Sequence, residues 1–304
     1  MNLILPLMQR EWMQHRFSWT LLALIPVSLA VLGLGFGQIE FDVDGAGGDP
    51  LPPAAALALS TFAVSAAVML FLVMIASLVT VIGLARRDHA DRSIEFWLSL
   101  PIGHARSLAV PMGVHLLLAP LVAVLLGLVA GVVCSMLLVS RVHSLGEWLA
   151  LPWGTILSYL MVGLTRLVVG WPLALLWLSP LLLLAMLMFA WMRRWGPVVM
   201  GVVIALSYSP LGVLWGEPLL PRALAAIGEG AARSLVYGQR LQVLPENIDE
   251  ALQLAPELPL WLAKDVGSSL MGLASPVLAG ALLVSGLCFA GLVHWRRRGS
   301  SAAI

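Results

Sequence analysis

The chain has 304 residues, 60% of them hydrophobic and only 11% charged, with a formal net charge of +1 and a mean hydropathy of +0.97. A soluble domain is about 45–50% apolar and about 25% charged, so these few charges could not cover a water-facing surface of this size. The near-neutral balance says nothing about nucleic acid, which is not expected as a partner, and the bilayer is left as the natural solvent.

In chain order, the pattern predicts an all-α polytopic membrane protein, a single transmembrane domain over 1–304 with six transmembrane helices. In the opening MNLILPLMQREWMQHRFSW, Leu5, Met8 and Trp12 recur at i, i+3 and i+7, with Arg10 and Gln14 on the opposite side. This predicts an amphipathic helix over 1–16 lying on the membrane surface, with Arg10, Glu11 and Trp12 as candidate contact residues. The apolar run 17–37 has 21 residues, longer than the roughly 7–15 of a signal-peptide core, and reads as a retained span. Residues 38–58 form a loop rich in Gly, Pro and Asp. Asp42 and Asp44 ahead of Gly45 resemble the start of a calcium loop, but the later ligands are missing, so a solvated turn is expected.

The second span, 59–84, leads into the charged loop 86–107, RRDHADRSIEFWLSLPIGHAR and one residue more. On a helix, Ile94, Trp97, Leu98 and Pro101 make one apolar stripe, Arg92 and Glu95 pair at i, i+3, and Pro101-Ile102-Gly103 closes it. Two readings are open: an interfacial anchor with Trp97 at headgroup level, or a docking helix that fits a groove on a soluble partner. The third run, 108–139, is over-long and either tilts or extends past the membrane. Cys134 within it, like Cys288 in the last span, reads as a packing residue.

Residues 153–170, WGTILSYLMVGLTRLVVG, are apolar but hold Arg166, and Trp171-Pro172 follows at once. An arginine at mid-bilayer costs about 2.5–3.5 kcal/mol on insertion scales, so the segment is expected to be an interfacial or re-entrant helix on the outer side. The fourth and fifth spans are then 172–191 and 197–216. The segment 217–274, broken by Pro221, Pro245, Pro256 and Pro259, forms outer-side helices that either cap the bundle or gate a path. The sixth span is 275–295.

Charge orients this array. With six spans and both termini cytoplasmic, the inner side holds Arg10, Arg16, Arg86, Arg87, Arg92, Arg106, Arg193, Arg194, Arg296, Arg297 and Arg298, eleven of the seventeen basic residues. A seventh span would translocate the last five of these, against the positive-inside rule. Gly33 with Gly37 and Gly127 with Gly131 stand four apart, and packing within one subunit is their expected use.

The layout, and above all Asp91-Arg92-Ser93, Phe96-Trp97 and Leu98-Ser99-Leu100-Pro101 after the second span, resembles the permease subunit of type-2 ABC exporters. The resemblance implies a translocation path shared with a second permease copy (a homodimer) or a related permease, in contact with membrane lipid, in a bacterial cytoplasmic membrane. It implies a separate ATPase subunit in two copies, touching a coupling helix through Arg86, Arg87, Asp88, Asp91, Arg92, Glu95, Phe96, Trp97, Leu100 and Pro101. ATP and magnesium belong to that partner and no cofactor to this chain. In keeping with this, no G-x-x-x-x-G-K-[ST] loop occurs, and neither H-E-x-x-H nor G-x-S-x-G, so an enzyme is not expected. The histidines His15, His89, His104, His115, His143 and His294 are scattered and each is expected at a surface or interface. The alternatives are an ion-coupled secondary transporter, for which the six expected spans lack an interior Asp or Glu, and a membrane anchor or immunity-type protein without transport.

Overall fold

The computed structural model describes residues 4–37, 54–90, 103–192, 195–207, 219–235 and 253–301; nearly all of these are helical and none is in a strand. The helices are α1 (Ile4–Phe36), α2 (Ala54–Ala90), α3 (His104–Gly113), a π-helical turn (Val114–Leu118), α4 (Ala119–Val142), the short α5 (Leu145–Leu149), α6 (Trp153–Met192), α7 (Gly196–Ser207), α8 (Leu219–Leu235), a 3-10 turn (Ala255–Glu257), α9 (Leu258–Met271) and α10 (Pro276–Ser301). Among the described residues, five stretches, Ile4–Phe36, Ala54–Arg87, His104–Val142, Trp153–Met192 and Pro276–Arg297, are long and apolar enough to cross a membrane. The chain is a multi-pass helical membrane protein.

Two boundaries differ from the sequence expectation. The N-terminal helix and the first span are one unbroken helix, α1. Residues 153–170 and 172–191 are likewise one helix of 40 residues, α6, which at 1.5 Å per residue is about 60 Å long, roughly twice the hydrocarbon thickness. Pro172 and Pro180 lie inside it without ending it; prolines persist in long apolar helices whose neighbours take up the freed backbone groups. The expected span 197–216 is described as a helix only over Gly196–Ser207, 12 residues, and the remainder lies outside the described residues.

Helix α2 packs antiparallel to α4 at very short range, and glycine makes this feasible. A side chain at Gly127 would lie 2.6 Å from the Cα of Ala66, and one at Gly131 3.0 Å from the Cα of Phe62. The spaced glycines are thus an internal seam, as expected. Gly33 instead faces open space.

By contrast, α6 and α10 run parallel. Ser179 meets Ser285, Oγ to Oγ at 2.7 Å, and further along Leu187 lies against Gly291. Two packed helices that run the same way require the chain to return between them. Gly196 turns back against the backbone of Met188 and Phe189, and α8 then lies beside α6 with Gly230 pressed on the Trp177 ring. The chain therefore returns from the C-terminal end of α6 toward its N-terminal half before α10 begins.

The two ends of the bundle have different chemistry. One gathers Leu84, Leu108, Met186 and Leu292, so it holds the ends of α2, α6 and α10, the start of α3 and, through Glu11 and Arg87, the start of α1. The arginines Arg86, Arg87, Arg106, Arg296 and Arg297 sit on these helix ends. The other end gathers Ala58, Phe62, Val139 and Ile156 with Trp148 and Trp153. There Trp148 stacks edge-on to Trp153 at 4.9 Å, and Arg141 donates to the carbonyl of Gly37 at 2.7 Å.

Candidate functional site

The N-terminal stretch of α1 buries Arg10, which the sequence pattern set opposite the apolar stripe, while Gln14 of that side stays exposed. Leu7, Arg10 and Glu11 face inward, while Leu5 and Trp12 are exposed. This departs from the expected amphipathic placement, and the reason is electrostatic. An ionisable residue at membrane depth turns toward the bundle and its partners, while apolar side chains tolerate lipid.

Glu11 is fully buried and finds two partners from distant elements. Arg87, near the end of α2, grips its carboxylate with both terminal nitrogens, Nη1 to Oε2 at 2.8 Å and Nη2 to Oε1 at 2.6 Å. Planar guanidinium on planar carboxylate is the strongest side-chain pairing available and also fixes orientation. His115 Nε2 lies 3.2 Å from Oε2 on the other side. Helix α1, the end of α2 and the start of the third span are thereby joined through one carboxylate.

The backbone places His115. It sits in the π-helical turn Val114–Leu118, a distortion frequent at functional positions. Pro120 has no N–H to give to the carbonyl of Leu116 four residues back, and the indole N–H of Trp171 donates to that oxygen instead, at 2.6 Å. The His115 ring is edge-on to His15 at 5.1 Å and to Trp19 at 5.6 Å. His115 is completely buried, which corrects its expected surface or interface position. No sequence spacing links it to Glu11, 104 positions earlier. Among the described residues, Glu11, His15 and His115 form the one group of metal-ligating side chains whose donor atoms converge, all within 4.8 Å of one another.

A second polar knot lies at Arg166, which is 2% exposed. Its Nε faces Asp265 Oδ2 of α9 at 2.5 Å. Nη1 donates to the carbonyl of Ser234 at 2.6 Å, and Nη2 to the carbonyl of Arg233 and to Ser269 Oγ, both at 3.0 Å. Ser234 and Arg233 close α8, so a guanidinium sits at the negative end of that helix. The arginine that seemed to bar 153–170 from a membrane is held by an ion pair and three hydrogen bonds, and it ties α6, α8 and α9 together. Asp265 was not legible as its partner, although an arginine in an apolar run demands one. Beside this knot a cavity of about 670 Å³ is lined by Trp177, Glu229, Arg233, Ser268 and Ser275 among others.

Of the expected ATPase-contact residues, Arg86 and Arg87 are half-buried on the last turns of α2, and Asp88 belongs to the same helix. Asp91, Arg92, Glu95, Phe96, Trp97, Leu100 and Pro101 lie outside the described residues. Of the N-terminal set, Arg10 and Glu11 are buried and Trp12 is exposed. The structure thus joins one member of each set, Glu11 and Arg87. Comparison with protein families, with curated proteins and with solved structures found no match.

Proposed function

We propose that this chain is the membrane-spanning permease subunit of a type-2 ABC exporter in a bacterial cytoplasmic membrane, forming half of a translocation path and driven by a separate ATPase. The observation that carries the reading is the Glu11–Arg87 clamp. It fastens the N-terminal helix to α2 four residues before Asp91, where the charged segment ending in Leu98-Ser99-Leu100-Pro101 begins. A helix that receives a push from a soluble motor needs a rigid mount on the spans it moves. A bidentate, buried ion pair between α1 and α2, backed by His115 on the third span, supplies one.

The parallel packing of α6 and α10 supports the six-span count, because the chain must recross between them. With both ends of the chain on the arginine-bearing end of the bundle, the positive-inside rule assigns that end to the cytoplasm. The segment 93–103 then serves as the coupling helix, and rocking of the spans between inward- and outward-facing states follows ATP-driven closure of two motor copies. ATP and magnesium stay on the motor, and a second copy of this chain completes the path.

Mild solubilisation of native membranes followed by affinity capture of this chain tests the reading. It predicts recovery of a phosphate-loop ATPase in equal number, with ATP hydrolysis in the recovered complex. Capture of the chain with no nucleotide-binding protein, under conditions that preserve other transporter complexes, contradicts it.

A further inference from the structure

The geometry points to a divalent transition-metal site of the zinc class built from Glu11, His15 and His115. Three observations support it independently of what the chain transports. First, the donor set, one carboxylate and two imidazoles, is one that catalytic zinc sites use, with a fourth position left to water. Secondly, the spacing fits. Two ligand atoms on a tetrahedral ion with bonds of about 2.0–2.1 Å are about 3.3 Å apart, and Glu11 Oε2 and His115 Nε2 are 3.2 Å apart. The third donor lies within 4.8 Å, which a side-chain rotation of His15, half-buried at the edge of the group, closes.

Thirdly, the imidazoles hold unused capacity. His15 Nε2 and His115 Nδ1 are buried and have no hydrogen-bond partner among the described residues. His115 itself is nearly inaccessible, its side chain 1% exposed. A buried imidazole nitrogen left without a partner forfeits the hydrogen bond it would make in water. Metal ligation through Nε2 of His15 uses that capacity, whereas at His115 the ion takes over Nε2 from its contact with Glu11. When the ion takes the Nε2 lone pair of His115, the ring proton resides on Nδ1. Arg87 keeps its bond to Glu11 Oε1 and orients the carboxylate from behind. Two ligands come from α1 and one from the π-helical turn of the third span, so an ion would cross-link these elements at the point where the N-terminal helix is mounted.

Purified full-length protein in detergent, with its affinity tag removed, tests this with zinc and cobalt ions alone. The expected result is one zinc per chain by elemental analysis after gel filtration, and a visible cobalt spectrum of tetrahedral type. His15→Ala should remove the stoichiometric zinc and the cobalt band. Its fold is monitored by the elution profile, and His143→Ala, at a pair on the opposite end of the bundle, should change neither signal. His115→Ala and His115→Gln should behave like His15→Ala wherever they remain monodisperse. Absence of stoichiometric metal in the wild-type chain, or stoichiometric metal that survives in a monodisperse His15→Ala protein, overturns the site and leaves a hydrogen-bonded network only. Neither measurement involves an ATPase, so failure here is distinct from failure of the exporter reading.

Discussion

Arg166 and Glu11 are the two residues that most constrain this molecule, because each is charged, buried and shared among several elements. Removing one partner of a buried ion pair costs about 3–5 kcal/mol, whereas replacing both by apolar groups of similar volume is often neutral. Asp265→Ala should therefore destabilise the protein by about that amount in denaturant unfolding. The double variant Arg166→Met with Asp265→Leu should recover much of the loss, less the bonds to Ser234, Arg233 and Ser269. If the two single losses simply add in the double variant, the pair is not coupled as described. At Glu11 the expected outcome differs. Glu11→Gln keeps the shape but removes the carboxylate charge that Arg87 grips, so the N-terminal helix should loosen from α2. Faster protease cleavage near Arg10 reads this directly, and unchanged cleavage would contradict the clamp.

At the scale of elements, glycine placement separates seams from lipid-facing surface. Gly127→Ala puts a methyl 2.6 Å from the Ala66 backbone, which cannot move as a side-chain tip can, and overpacking of this kind typically costs about 1–3 kcal/mol. Gly163→Ala on α6 meets nothing within 4 Å and should be neutral or stabilising by up to about 1 kcal/mol through helix propensity. Equal melting temperatures for the two variants would refute the seam. The existence of helices was legible in the sequence because lipid solvation demands long apolar runs, and five of them form as such. Their joints were less legible. The break expected at Arg166 and Trp171-Pro172 rested on an unpaired charge and a helix-breaking ring, and the structure supplies Asp265 for the one and a continuous α6 for the other. The face of α1 was misread for a related reason. Periodicity reports apolar spacing, but inside a membrane the buried side can be the polar one, and the partners that decide it, Arg87 and His115, lie 76 and 104 positions away. The glycine pair at 127 and 131 was readable because close helix approach has a local signature.

For the whole molecule, the reading combines a bundle with two chemically different ends and a chain that must recross between α6 and α10. Topology is open to a direct check. Cys134 and Cys288 are both buried, so they contribute little background to labelling. A cysteine introduced by Glu246→Cys should react with an impermeant thiol reagent from outside intact cells. Reaction only after the membrane is opened would place 217–274 on the arginine side and undo the six-span arrangement.

The central claim is that this bundle takes its power from a soluble motor through the segment around Trp97. The most direct measurement compares ATP turnover and transport in vesicles containing the chain and its ATPase, for the wild type and for Arg92→Glu combined with Trp97→Ala. The account predicts normal membrane insertion of the variant, with motor turnover no longer linked to transport. Transport at the wild-type rate in that variant would contradict it.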